Sequence, residues 1–150
     1  MSKLAALLSE AQNADPRAGK TGQYFPADFR GLLKVVSCTH KSSQKKKNKE
    51  YLVAEFEVLE SNLAEVSVGS ARSWVLDLTN PDFGIPNAKA FVGACSGFDV
   101  DSDECAGLDG DDLLATMEEG LIDGRHVRLQ TFYKKTAVGG DFTVHTFTPA

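Results

Sequence analysis

Lys41 to Lys49 reads Lys-Ser-Ser-Gln-Lys-Lys-Lys-Asn-Lys, five lysines and no acid in nine residues, between two runs of β-forming residues. Ammonium groups crowded onto a turn between paired strands suit the neutralisation of phosphates, because each contact displaces condensed counterions. The plainer use of a charged hairpin tip is solvation. Lys41, Lys45, Lys46, Lys47 and Lys49 are therefore candidate phosphate ligands, and single-strand binding would also need aromatic platforms on which bases stack. Tyr51 follows the lysines by two residues. Further on, Val127, Leu129 and Thr131 alternate with Arg128, Gln130 and Phe132, so a polar strand face carries one aromatic. Phe132 is a stacking candidate there, with Arg128, Lys134 and Lys135 as cations beside it. Phe147, on one face of the last β run with His145, is a further candidate. Trp74 shares its face with Leu76 and Leu78, which favours the core.

Other chemistries fail on their context. Ala14 to Thr21 matches a relaxed phosphate-loop pattern, but it follows a helical stretch and leads into Gly22-Gln23-Tyr24-Phe25-Pro26 rather than opening a helix after a strand. Asp99, Asp101 and Asp103 begin like a calcium loop. Glu104 then occupies the place of the required glycine, and Gly110 that of the bidentate glutamate. His40, His126 and His145 have no metal-ligand spacing, and no serine, cysteine or histidine constellation suggests catalysis. The chain is read as a non-enzyme with no cofactor and no metal.

The elements that would position these residues follow from periodicity. Lys3–Gln12 has the spacing of a short amphipathic helix, and residues 13–31 read as an arm anchored by Tyr24, Phe25 and Phe29. Leu32–Thr39, Tyr51–Glu60 and Ser70–Thr79 read as strands. In the second, Leu52, Ala54, Phe56 and Val58 face one way, and Tyr51, Val53, Glu55 and Glu57 the other. Asn87–Cys95 reads as a helix begun by Pro86 and Asn87, and Leu113–Gly120 as a second. Arg125–Thr136 and Asp141–Thr148 read as two strands joined through Gly139-Gly140. Three strands, helices and a closing hairpin give a mainly β expectation: a five-stranded OB-fold-like Greek-key barrel, with one or two helices between strands three and four and a short N-terminal helix or arm. The 150 residues suit one domain, residues 1–30 as helix and arm and 31–149 as barrel core.

The net charge of -5 hides a segregation. Residues 1–50 carry ten basic and four acidic side chains, residues 51–124 two and sixteen, and residues 125–150 four and one. If the two basic ends meet in space, a positive face exists despite the acidic average. Three cysteines without CxxC spacing indicate neither a disulfide framework nor structural zinc. No apolar run reaches membrane-spanning length, so a soluble, cytoplasmic protein is expected.

The combination of Glu50–Glu60, Val68-Gly69-Ser70 with Arg72-Ser73-Trp74, Ala88-Lys89-Ala90-Phe91, Gly124–Arg128 and Gly140–Thr143 with Phe147-Thr148-Pro149 resembles small bacteriophage single-stranded DNA-binding proteins of OB-fold type. The resemblance covers roughly residues 22–149. It implies sequence-independent coating of single strands during phage replication or recombination, in the host cytoplasm. The resemblance implies single-stranded DNA and replication proteins as partners; the residues themselves leave RNA open, since stacking and phosphate contacts serve either polymer, offer the acidic 99–112 segment as the meeting point for replication proteins, and leave a homodimer open. The alternative is a structural or interaction protein, a virion component or host-factor inhibitor, using the barrel for protein contacts.

Overall fold

The computed structural model describes residues 24–43, 49–134 and 142–150. The expected helix over Lys3–Gln12, most of the arm, Lys45, Lys46, Lys47, Lys135 and the Gly139-Gly140 turn lie outside the described residues. The described chain runs β1 (Arg30–Ser42), β2 (Glu50–Ser61), β3 (Ala71–Asp77), α1 (Gly84–Cys95), α2 (Asp103–Ala106), α3 (Gly110–Glu119), β4 (His126–Lys134) and β5 (Phe142–Pro149). The strands form one antiparallel sheet in the order β3-β2-β1-β4-β5. Among the described residues no helix is long and apolar enough to cross a membrane.

The expected alternation of β2 is present: Leu52, Ala54, Phe56 and Val58 are buried, and Tyr51, Val53, Glu55 and Glu57 stand half-buried on the other face. In β1 a simple period of two fails. The register steps from Val35 opposite Phe56 to Ser37 opposite Glu55, leaving Val36 unopposed and exposed. This bulge carries the buried set from Leu33 and Val35 to Cys38, so one strand turns two successive stretches toward one interior. Before the bulge β1 pairs with both β2 and β4. At that crowded point sits Gly31, where a Cβ would lie 2.0 Å from the Glu60 carbonyl oxygen.

The aromatic side chains fill the interior. Phe56, Trp74, Phe91 and Phe147 form a contiguous cluster, with Phe91 of α1 4.7 Å from Phe147 and 5.1 Å from Trp74 between ring centroids. Each buried ring is worth roughly 1.5–3 kcal/mol of transfer free energy. The arm residues Phe25 and Phe29 also enter the core, as their spacing predicts, and Tyr24 is half-buried. Thr131 of β4 ties this segment down: its hydroxyl donates to the Pro26 carbonyl at 2.6 Å and accepts from the Phe29 amide at 3.0 Å.

The helices begin earlier than the sequence suggests. Asn80 Oδ1 accepts from the amides of Asp82 and Phe83, and α1 starts at Gly84, three residues before Asn87. Pro86 therefore lies inside the first turn, where its missing amide hydrogen costs no helical bond. α3 begins at Gly110 because Asp109 and Asp112 form a reciprocal capping box, and left-handed Gly120 ends it. The Asp99–Asp103 stretch leads into the single turn of α2, capped by the Ser102 hydroxyl.

Candidate nucleic-acid interface

β4 shows how the sequence sorts core from surface. Val127, Leu129 and Thr131 are buried, which forces His126, Arg128, Gln130, Phe132 and Lys134 onto the outer face, all exposed. Phe132 keeps 43% of its surface in contact with solvent, and Tyr133, on the opposite side of the strand, 56%. An exposed phenyl ring with Lys134 at the next outward position and Arg128 two outward positions back can stack on a base while the cations meet phosphates. Arg128 lies 3.8 Å from the Glu60 carboxylate, and both side chains are more than half exposed. Among the described strands β4 pairs only with β5 from Thr131 onward, while the Thr131 backbone also bonds to Asp28 and Phe29, so Phe132 and Lys134 lie past the first residue of β1.

Phe147 corrects an expectation. The sequence offers it for stacking on bases, but it is 6% exposed and locked against Trp74, Phe91 and Phe56, so its ring offers no platform. His145 shares its inward face, as alternation requires, and lies 6.1 Å from Trp74 and 6.4 Å from Phe25 between ring centroids. Its Nε2 is buried without a hydrogen-bond partner, and burial pushes the imidazole down to about 4 despite a contact to the Thr143 carbonyl. The face of β5 that looked like a stacking surface is the core face. The low polarity contrast between His145-Phe147 and Val144-Thr146 left that orientation open in the sequence.

The ends of the lysine-rich connection are held by carboxylates. Lys41 stands opposite Tyr51, which stands opposite Asp77, and Lys49 Nζ reaches Asp77 Oδ2 at 3.0 Å. Burial pushes the Asp77 carboxyl up, but hydrogen bonds from Thr79 and Lys49 outweigh it and the net shift is downward. Across the same neck the Ser42 hydroxyl donates to Glu50 Oε2, and His40 Nε2 lies 2.7 Å from that oxygen. The Ser42 hydrogen bond, with help from His40, holds the Glu50 carboxyl below its usual range. Because serine and histidine share one carboxylate oxygen, His40 does not bridge the other two as a hydrolytic triad would require. Tyr51 lies half-buried on an outer face that also carries Glu55, Glu57 and Asp77.

The register brings Arg128, Phe132 and Lys134 onto one row, and Lys41, Lys49 and Tyr51 into a second group. It does not bring the groups together within the sheet. Arg128 is level with Leu32, nine positions along β1 from Lys41, or about 30 Å of strand contour. Two cations overlooked in the sequence stand beside the first group: Arg30 is opposite Gln130, and Lys34 is opposite His126, both exposed. The alternation of Lys34 with buried Leu33 and Val35 was their available signal. The pairing of β1 with β4 was not.

Among the described residues, no group of three or more histidine, cysteine, aspartate or glutamate side chains is placed to hold a metal ion. No family model matches the chain, and no curated protein matches it.

Proposed function

We propose that the chain is a non-enzymatic single-stranded DNA-binding protein built on an OB-type barrel. The observation that carries this reading is the outer row of β4, where exposed Phe132 lies between Arg128 and Lys134 on a face free of the core. The five-stranded antiparallel sheet and the helices between β3 and β4 support the OB-type reading. Trp74 of one edge strand meets His145 and Phe147 of the other across the interior, which supports a sheet curled upon itself. In this reading Phe132 stacks on a base and Arg128 and Lys134 neutralise phosphates. The lysines of residues 41–49 add to the positive potential that draws a polyanion in. Tyr51, set among carboxylates, is left outside it.

Fluorescence anisotropy with a labelled oligothymidine tests the proposal. The wild-type chain should bind with affinity that falls as salt rises, and Phe132→Ala should weaken binding about fivefold to 150-fold, from about 1–3 kcal/mol per stacked base. Salt-independent binding, or an unchanged Phe132→Ala variant, contradicts it. A protein-contact role has one observation in its favour, the exposed Phe83 and Ile85 at the start of α1. Association through that patch would survive high salt and be abolished by Phe83→Ser.

A further inference from the structure

We propose that single-stranded DNA crosses the outer face of β1, β4 and β5, and not the outer face of β2 and β3 where an OB-type barrel often binds its ligand. The inference rests on the DNA-binding reading above and concerns the path that the strand takes.

The register supplies the argument. Arg30, Leu32 and Lys34 of β1 lie opposite Gln130, Arg128 and His126 of β4, and Arg128, Gln130 and Phe132 lie opposite Thr148, Thr146 and Val144 of β5. Residues paired across antiparallel strands point to the same face. The buried partners of this register, Leu33 with Val127 and Leu129 with Phe147, fix the inward side. The outer face is thereby assigned: cations at Arg30, Lys34, Arg128 and Lys134, an exposed ring at Phe132, the polar side chains of Gln130, Thr146 and Thr148, and the apolar Leu32 and Val144.

Among the described residues, no carboxylate occupies an outward position of these three strands. The bordering acids belong to β2: Glu57 lies opposite Lys34, and Glu60 approaches Arg128 at 3.8 Å. An exposed pair at that distance contributes little, and a phosphate can replace the carboxylate. The outer face of β2 and β3 has the opposite character. There Tyr51, Val53 and Val75 are flanked by Glu55, Glu57 and Asp77, and a phosphate chain laid across them meets a carboxylate on nearly every row. Repulsion at those rows offsets what an aromatic contact would gain.

The test uses anisotropy titration of a labelled oligothymidine of about 15 nucleotides, near the upper site size of one such barrel, at roughly 50–200 mM salt. Arg30→Glu with Lys34→Glu should weaken binding by more than about tenfold, and Arg30→Ala with Lys34→Ala should make the log–log salt slope shallower by about 1.4, two lost single-strand contacts. Tyr51→Ala with Val75→Ala should bind within about twofold of wild type. Arg30→Lys with Lys34→Arg should restore the affinity, and circular dichroism should show the charge-reversed variant folded, as expected for exposed side chains. Full loss with Tyr51→Ala and Val75→Ala overturns the proposed path, as does wild-type affinity with both charges reversed; in either case the DNA-binding reading stands. Absence of binding by the wild-type chain instead overturns that reading, and the path falls with it.

Discussion

His145 should make this protein lose stability in mild acid, before its carboxylates titrate. The imidazole sits inside the sheet against Trp74 and Phe25, its Nε2 buried and without a partner, and burial holds it at about 4 against an ordinary value of 6.5. No described acid pairs with it there. The folded chain therefore keeps His145 neutral over a range in which the unfolded chain takes up a proton. Its contribution is fully present above pH 6.5, is lost as pH falls from 6.5 to about 4, and changes no further below that. A displacement of about 2.5 units corresponds to about 3 kcal/mol at full loss. With a urea dependence of about 1–3 kcal/mol per molar, the midpoint of unfolding should fall by about 1–3 M across this window. Urea denaturation followed by Trp74 fluorescence at closely spaced pH values measures it. His145→Leu should flatten the profile between pH 6.5 and 4.5 while leaving the steeper loss at lower pH, where Asp77, Asp109 and Glu50, all held below their usual values, become protonated. An unchanged profile in His145→Leu would refute the claim that the imidazole is buried and uncompensated.

Three further outcomes test the packing. Gly31→Ala should destabilise the fold by at least about 1–3 kcal/mol in thermal or urea unfolding, since its Cβ would stand 2.0 Å from the Glu60 carbonyl and 2.6 Å from the Phe29 ring. Thr131→Val keeps the shape but leaves the Phe29 amide and the Pro26 carbonyl without their hydroxyl partner, and should cost about 1–3 kcal/mol. Burial, reinforced by Asp123, pushes the Cys38 thiol up to about 12, and burial pushes Cys95 in the same direction, so both should resist a thiol-specific chromophoric reagent at pH 8 and react at the rate of global unfolding. Fast labelling of either cysteine in the native protein would contradict that.

Periodicity carried much of the fold in advance, where one face of an element is plainly apolar. The alternation of β2, the core position of Trp74 and the outward face of β4 all follow from side chains of strongly different polarity at successive positions. Legibility failed where that contrast is weak or the period is broken. In β5 the faces His145-Phe147 and Val144-Thr146 differ little in polarity, and Phe147 proved to be core. In β1 the Val36 bulge changes the inward set partway along, which no fixed period anticipates. The candidate site depended on pairing more than on pattern: Arg30 and Lys34 join Arg128 through the β1–β4 register, between segments nearly a hundred residues apart in sequence. The lysine run is legible because its charges are contiguous. The cations of the β4 face are dispersed along the chain and converge through folding.

Photocrosslinking tests the central claim most directly. A halogenated-uracil oligodeoxynucleotide irradiated with the protein attaches to the aromatic residue on which the base stacks, and trypsin then frees the attached peptide. Cleavage after Arg128 and Lys134 releases Leu129–Lys134, which carries Phe132, whereas Tyr51 leaves within the peptide from Glu50 to Arg72. The account predicts a salt-sensitive crosslink to the Leu129–Lys134 peptide that disappears in Phe132→Ala. Crosslinking confined to the Glu50–Arg72 peptide, or none under conditions of low salt, would contradict it.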